Sequence, residues 1–181
     1  MKRICSLILA AALAAALLAG CSSGGGGESP APSRTPEELA ALYTDAINSC
    51  GSDMVEYNPP FSTYDPDDAD QTLNGLILDT LGVSVDDMQA YAISMSMMNV
   101  KAYAIALILP AEGKEQTVLD AVNAYVDSTE SSFSTYLPDQ HEVAQNAKVE
   151  TLSDGTVLLV MCEGADTVYQ SIVDTLSGSA E

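Results

Sequence analysis

The chain has 181 residues, 47% of them hydrophobic, and carries 26 acidic against 6 basic residues for a formal charge of −20. That balance excludes nucleic acid as a partner, because phosphate binding needs clusters of Lys and Arg, and it argues against a domain lying on an anionic membrane surface. It either keeps surface proteins soluble and mutually repelling or attracts a cationic ligand or a basic protein.

Lys2 and Arg3 precede an apolar run from Ile4 to Ala19, long for the apolar core of a signal peptide and short for a membrane span. The run closes on Leu18-Ala19-Gly20-Cys21, which resembles the lipobox of bacterial lipoproteins. The resemblance implies cleavage before Cys21 and a diacylglyceryl group on its sulfur. The mature chain would then be lipid-anchored on the outer face of the cytoplasmic membrane. Each buried CH₂ contributes about 0.8 kcal/mol, so two acyl chains hold where one is marginal. The expected organisation is a signal peptide over 1–20, a lipidated Cys and Gly/Ser/Pro tether over 21–33, a single globular domain over 34–178 and a tail over 179–181. Such a tether has an r.m.s. span of about 20 Å. Loss of Lys2 and Arg3 leaves 4 basic and 26 acidic residues, a formal charge of −22. Cys5 leaves with the leader, and Cys50 and Cys162 then remain; they either pair outside the membrane or sit as small apolar side chains.

Thr35-Pro36-Glu37-Glu38 reads as a capping box with Pro in the first turn. Leu39, Leu42, Tyr43, Ala46 and Ile47 then predict an amphipathic helix that Gly51 ends. Ser52 to Asp65 reads as an aromatic loop holding Tyr57, Asn58-Pro59-Pro60-Phe61 and Tyr64. The following "DPDDAD" fails the calcium-loop pattern at Ala69 and lacks its Gly, so Asp68 and Gln71 are read as a cap for a second helix bearing Leu73, Leu76, Ile77 and Leu81. Met88 to Leu109 alternates as a hairpin turning near Asn99-Val100, with Tyr91, Ile93, Met95, Tyr103, Ile105 and Leu107 expected on a bulky core face. Ala102, Ala104 and Ala106, with Ala90 and Ala92, are expected on a small face, either seating a helix or open for docking. Gly113 to Leu137 predicts a long helix stopped by Pro138, with a short helical turn over Asp139 to Asn146. Lys148 to Leu152 and Thr156 to Cys162 flank Ser153-Asp154-Gly155, a strong hairpin signal, and "TVLLVMC" is apolar on both faces, as a central strand is. Asp166 to Leu176 predicts the last helix. The sum is an α+β domain: an antiparallel four-stranded sheet from two hairpin-helix units, helices mainly on one face, plus two N-terminal helices.

No nucleophile elbow, phosphate loop, dinucleotide fingerprint or zinc-protease motif is present, and no Cys/His cluster has zinc spacing. His141 stands alone. Met95 to Asn99, "MSMMN", offers thioethers that suit Cu(I), although Met in an apolar strand fills core. No catalytic residue, cofactor or metal ligand is therefore expected. The reading is a non-enzymatic interaction module that contacts an unidentified protein or cationic ligand through Tyr57, Phe61, Tyr64, Ala102, Ala104 and Ala106. The alternative is a solute- or metal-binding lipoprotein that serves a transporter.

The Met-containing hairpin, Gly113-Lys114 after its second strand, Phe133-x-x-Tyr136-Leu137-Pro138-Asp139-Gln140 and the last hairpin with its acidic exit resemble a family of lipoproteins from Gram-positive bacteria that carries a domain of unknown function. The resemblance spans roughly Thr72 to Leu176 and implies no activity and no catalytic residues.

Overall fold

The computed structural model describes residues 34–50, 61–64 and 72–178. The leader, Cys21, the tether, Gly51, Tyr57, the double proline, "DPDDAD", Gln71 and the tail lie outside them.

Helix α1, Pro36–Ser49, starts as its sequence dictates: Thr35 Oγ1 accepts from the Glu38 backbone N–H, and the Glu38 carboxylate accepts from the Thr35 N–H at 2.9 Å. Strand β1, Phe61–Thr63, follows, and then α2, Thr72–Leu81. A 3₁₀ turn over Val85–Asp87 leads into β2, Met88–Met95, which returns through the Ser96–Tyr103 connection as β3, Ala104–Pro110. Helices α3, Glu115–Phe133, and α4, Pro138–Gln145, precede β4, Lys148–Thr151, and β5, Val157–Met161; α5, Ala165–Gly178, ends the fold.

All pairings are antiparallel, in the order β1-β2-β3-β5-β4. The sheet thus has five strands, not four. β1 is too short to show any alternation in sequence, and it adds to the β2 edge with Phe61 opposite Ser94 and Thr63 opposite Ala92. β5 lies between β3 and β4, where its apolar run predicts it. The turn before it is pinned by Gly155 at φ +89° and by Asp154 Oδ1, which accepts the Thr156 N–H at 3.0 Å.

Register overturns the expectation of one bulky face and one small face. Met95 pairs with Ala104, Ile93 with Ala106 and Tyr91 with Ile108; Ser94 pairs with Ile105 and Ala92 with Leu107. Paired residues share a face, so each face sets large side chains beside small ones. β5 continues the pattern, placing Leu159 beside Ala106 and Leu158 beside Leu107. Both faces are consequently apolar, and both need cover.

Helices therefore pack on both faces, not mainly on one. Tyr91, Ile93, Met95, Ala104, Ala106, Ile108 and Leu159 form one core with Ile77, Leu78 and Leu81 of α2, Val118 and Val122 of α3 and Ala144 of α4. Ala90, Ala92, Tyr103, Ile105, Leu107, Leu158 and Val160 form the other with Tyr43, Ala46 and Ile47 of α1 and Val168 and Ile172 of α5. In α2 the buried stripe is rotated from the predicted one: Leu73 and Leu76 are exposed, while Leu78 is buried.

Candidate functional site

The expected docking surface is not on the outside. Ala102, Ala104 and Ala106 are at most 1% exposed and belong to the core under α3 and α4. Their lack of bulk is what lets a helix approach the sheet between Ile93 and Leu159. Phe61 and Tyr64 are half-buried and turn to opposite faces: Phe61 packs on the α1/α5 core, whereas Tyr64 packs on the α2/α3 core and meets the Tyr91 ring edge-on at 6.3 Å. They do not share one surface.

Cys50 and Cys162 are both free thiols, so the pairing weighed from the sequence is not made. Cys50 sits in the C-cap of α1 with its thiol turned onto the Ile47 carbonyl at 3.0 Å, and burial pushes that thiol's pKa up. Cys162 is buried at the end of β5. The ring of His141 bridges α4 to α3 through Nδ1 and the Glu130 carbonyl, 3.0 Å apart. Met95 is wholly buried and Met97 packs against the same core, which leaves Met98 as the exposed thioether of "MSMMN". That is core filling and one surface side chain, not a three-sulfur copper site.

The residues behind the family resemblance hold elements together. Lys114 Nζ lies 2.7 Å from Asp87 Oδ1, tying the start of α3 to the start of β2, and this hydrogen bond holds the Asp87 carboxyl below its usual range. Gln140 is 5% exposed; its Oε1 accepts the buried Ala102 N–H at 2.9 Å and its Nε2 donates to Asp139 at 3.0 Å. Gln140→Leu is expected to strand that backbone N–H and cost about 1–3 kcal/mol. A urea titration should show a lower midpoint with an unchanged slope. An unmoved midpoint would mean that the amide finds another acceptor.

Two clefts remain. The first, about 710 Å³, opens between α4 and the start of α5 and is lined by Asp139, Glu142, Glu163 and Asp166. Its carboxylates are already engaged in part: Glu163 binds Lys101 at 2.6 Å and Asp166 binds Lys148 at 2.7 Å. Among the described residues no group of three or more His, Cys, Asp or Glu is placed to hold a metal ion.

The second cleft, about 520 Å³, lies between the β2–β3 connection and the C-terminal half of α3. The connection contributes Ser96 to Asn99 and Lys101, α3 and the turn after it contribute Tyr125, Ser128, Thr129, Ser132, Phe133 and Tyr136, and α2 contributes Thr80. No lining residue is acidic. Met98 is 44% and Tyr136 52% exposed. Tyr136 is held at both ends: its ring packs on Phe133 at 5.7 Å and its hydroxyl donates to the Asn99 carbonyl at 2.9 Å. The sequence pattern assigns Tyr136 to the buried stripe of a helix running to Leu137. The helix stops at Phe133, which frees the ring. A hint was present in "DSTESSF", where hydroxyls replace the apolar periodicity, and in the apolar Met97-Met98 of a turn.

The fold and these clefts define an α+β domain whose antiparallel sheet is covered on both faces. The chain belongs to the family described as a domain of unknown function, DUF4358, whose model matches residues 64–162. The match begins before and ends short of the stretch that carries the resemblance. It takes in β2 to β5 with α2, α3 and α4, and so the lining of the second cleft and the α4 side of the first, but not α1 or α5. No curated protein and no solved structure matches the chain.

Proposed function

We propose that the chain is a lipoprotein, held on the outer face of the cytoplasmic membrane by lipid on Cys21, and that its domain is a non-enzymatic binding module working through the cleft between the β2–β3 connection and α3. The observation that carries the binding reading is the pairing of exposed Met98 and Tyr136 with a carboxylate-free cleft of about 520 Å³. That size is within the range of small-ligand sites, and the wall sets aromatic and thioether groups beside a row of hydroxyls. The anchor rests on the order of basic residues, apolar run, lipobox and Gly/Ser tether. Among the described residues no helix is long and apolar enough to cross a membrane. The alternative, a metal- or solute-binding lipoprotein serving a transporter, has the acidic cleft as its location but no metal-binding cluster there.

Cys21→Ala is expected to leave an unprocessed precursor that keeps its leader, while the wild type partitions into the detergent phase. Normal cleavage and release of the variant would overturn the anchor. For the module, a photo-crosslinking residue at position 98 is expected to capture a ligand on intact cells, whereas one at position 170 on α5 is not. Equal labelling from both positions, or none from 98, would overturn the cleft as the contact site.

A further inference from the structure

We infer that the ligand of this cleft is a neutral polyhydroxylated molecule, a carbohydrate; the inference rests on the binding-module reading and names its ligand class. Charge is the first argument. The chain carries 26 carboxylate side chains, yet none lines the cleft, and the ammonium of Lys101 lies 2.6 Å from Glu163. A cationic ligand would lose hydration and meet no counter-charge at the wall, and an anionic one would meet a cation already neutralised.

Hydrogen bonding is the second argument. The hydroxyls of Thr80, Thr129 and Ser132 donate to carbonyls of their own helices, those of Leu76, Tyr125 and Ser128, whereas Ser96 donates to the Met98 carbonyl and already accepts the Met98 N–H at 3.1 Å. A hydroxyl whose proton is spent inward still has acceptor capacity on its oxygen. The wall is therefore rich in neutral acceptors and asks for a ligand rich in neutral donors, as sugar hydroxyls are. The third argument is the platform. Fixed at its ring and at its hydroxyl, Tyr136 offers an exposed aromatic face with little freedom left to lose, which suits the C–H face of a pyranose ring.

The test is methyl NMR of the full chain in a non-glycosidic detergent, with signals from Met97 and Met98 reporting the cleft and buried Met95 reporting the fold. Probes are cellotetraose, maltotetraose and N-acetylchitotetraose, beside an aminated tetramer (glucosamine) and an acidic one (galacturonate). At least one neutral tetramer is expected to shift Met97 and Met98 saturably. Tyr136→Ala should weaken it by about tenfold or more with Met95 unmoved, and Ser132→Glu should weaken it as well. Gln170→Ala should change nothing. Saturation by the charged tetramers alone would overturn the ligand class while leaving the binding cleft in place. No response to any neutral probe up to its solubility limit would also overturn the ligand class, and failure of crosslinking from position 98 would separately remove the binding reading.

Discussion

Ala106→Asp is expected to remove a large part of the domain's stability. Ala106 is 1% exposed, lies between Ile93 and Leu159 in the sheet, and belongs to the core that Val118 and Val122 of α3 complete. A carboxylate there has no cationic partner and no water. An uncompensated buried charge costs about 3–5 kcal/mol, and the added volume strains a close-packed seat. Domains of this kind are stable by about 5–15 kcal/mol in total. Near-UV circular dichroism should lose its signal, or the urea midpoint should collapse; Ala106→Ser, smaller and neutral, should be far milder. A midpoint left unchanged by Asp would restore the open docking face that the alanine pattern suggests.

Tyr43 sets the second large effect, at alkaline pH. Its hydroxyl is 2.7 Å from Thr156 Oγ1, the side chain is 1% exposed, and burial above all pushes its pKa from 10.0 up to about 12. Below pH 10 the phenol is neutral in both folded and unfolded chains and its contribution is complete. Between pH 10 and about 12 the unfolded phenol loses its proton while the folded one keeps it, so stability falls as pH rises, by at most about 3 kcal/mol. Tyr169, whose hydroxyl donates to Glu150, is also raised to about 12, but it is partly open to solvent and adds less. Tyr43→Phe isolates the buried group. At neutral pH it should cost about 1–2 kcal/mol, because buried Thr156 loses its partner. The gap to wild type should then narrow and reverse as pH climbs. Parallel stability curves for the two proteins across that range would show that Tyr43 is not the group responsible.

Much of the fold is legible because it follows local rules. The Thr35/Glu38 capping box, the Asp154-Gly155 turn and the doubly apolar β5 all appear where their residues place them. The register of the first hairpin also follows from its turn: a chain reversing at Asn99-Val100 brings Met95 opposite Ala104. Grouping side chains by size, as one bulky set and one small set, ignores that pairing, and the pairing decides which face each residue joins. Once large and small mix on both faces, helices on both faces follow. β1 was illegible because three residues carry no period. The cleft was illegible because it joins a turn to a helix end some thirty residues away in sequence, and Tyr136 reaches it only because α3 stops early.

The second helical layer has a kinetic consequence. α1 opens the fold and α5 closes it, they pack on each other, and their seat, β2 to β5, lies between them in sequence. Contacts that join the two ends of a chain carry the largest loop-closure entropy and form late. A chain emerging from its N-terminus can complete the α2/α3/α4 side early, but it holds Ile105, Leu107, Leu158 and Val160 only half covered until its last helix is made. Formation of α5, rather than assembly of the family-matched core, is what completes the cover of that face.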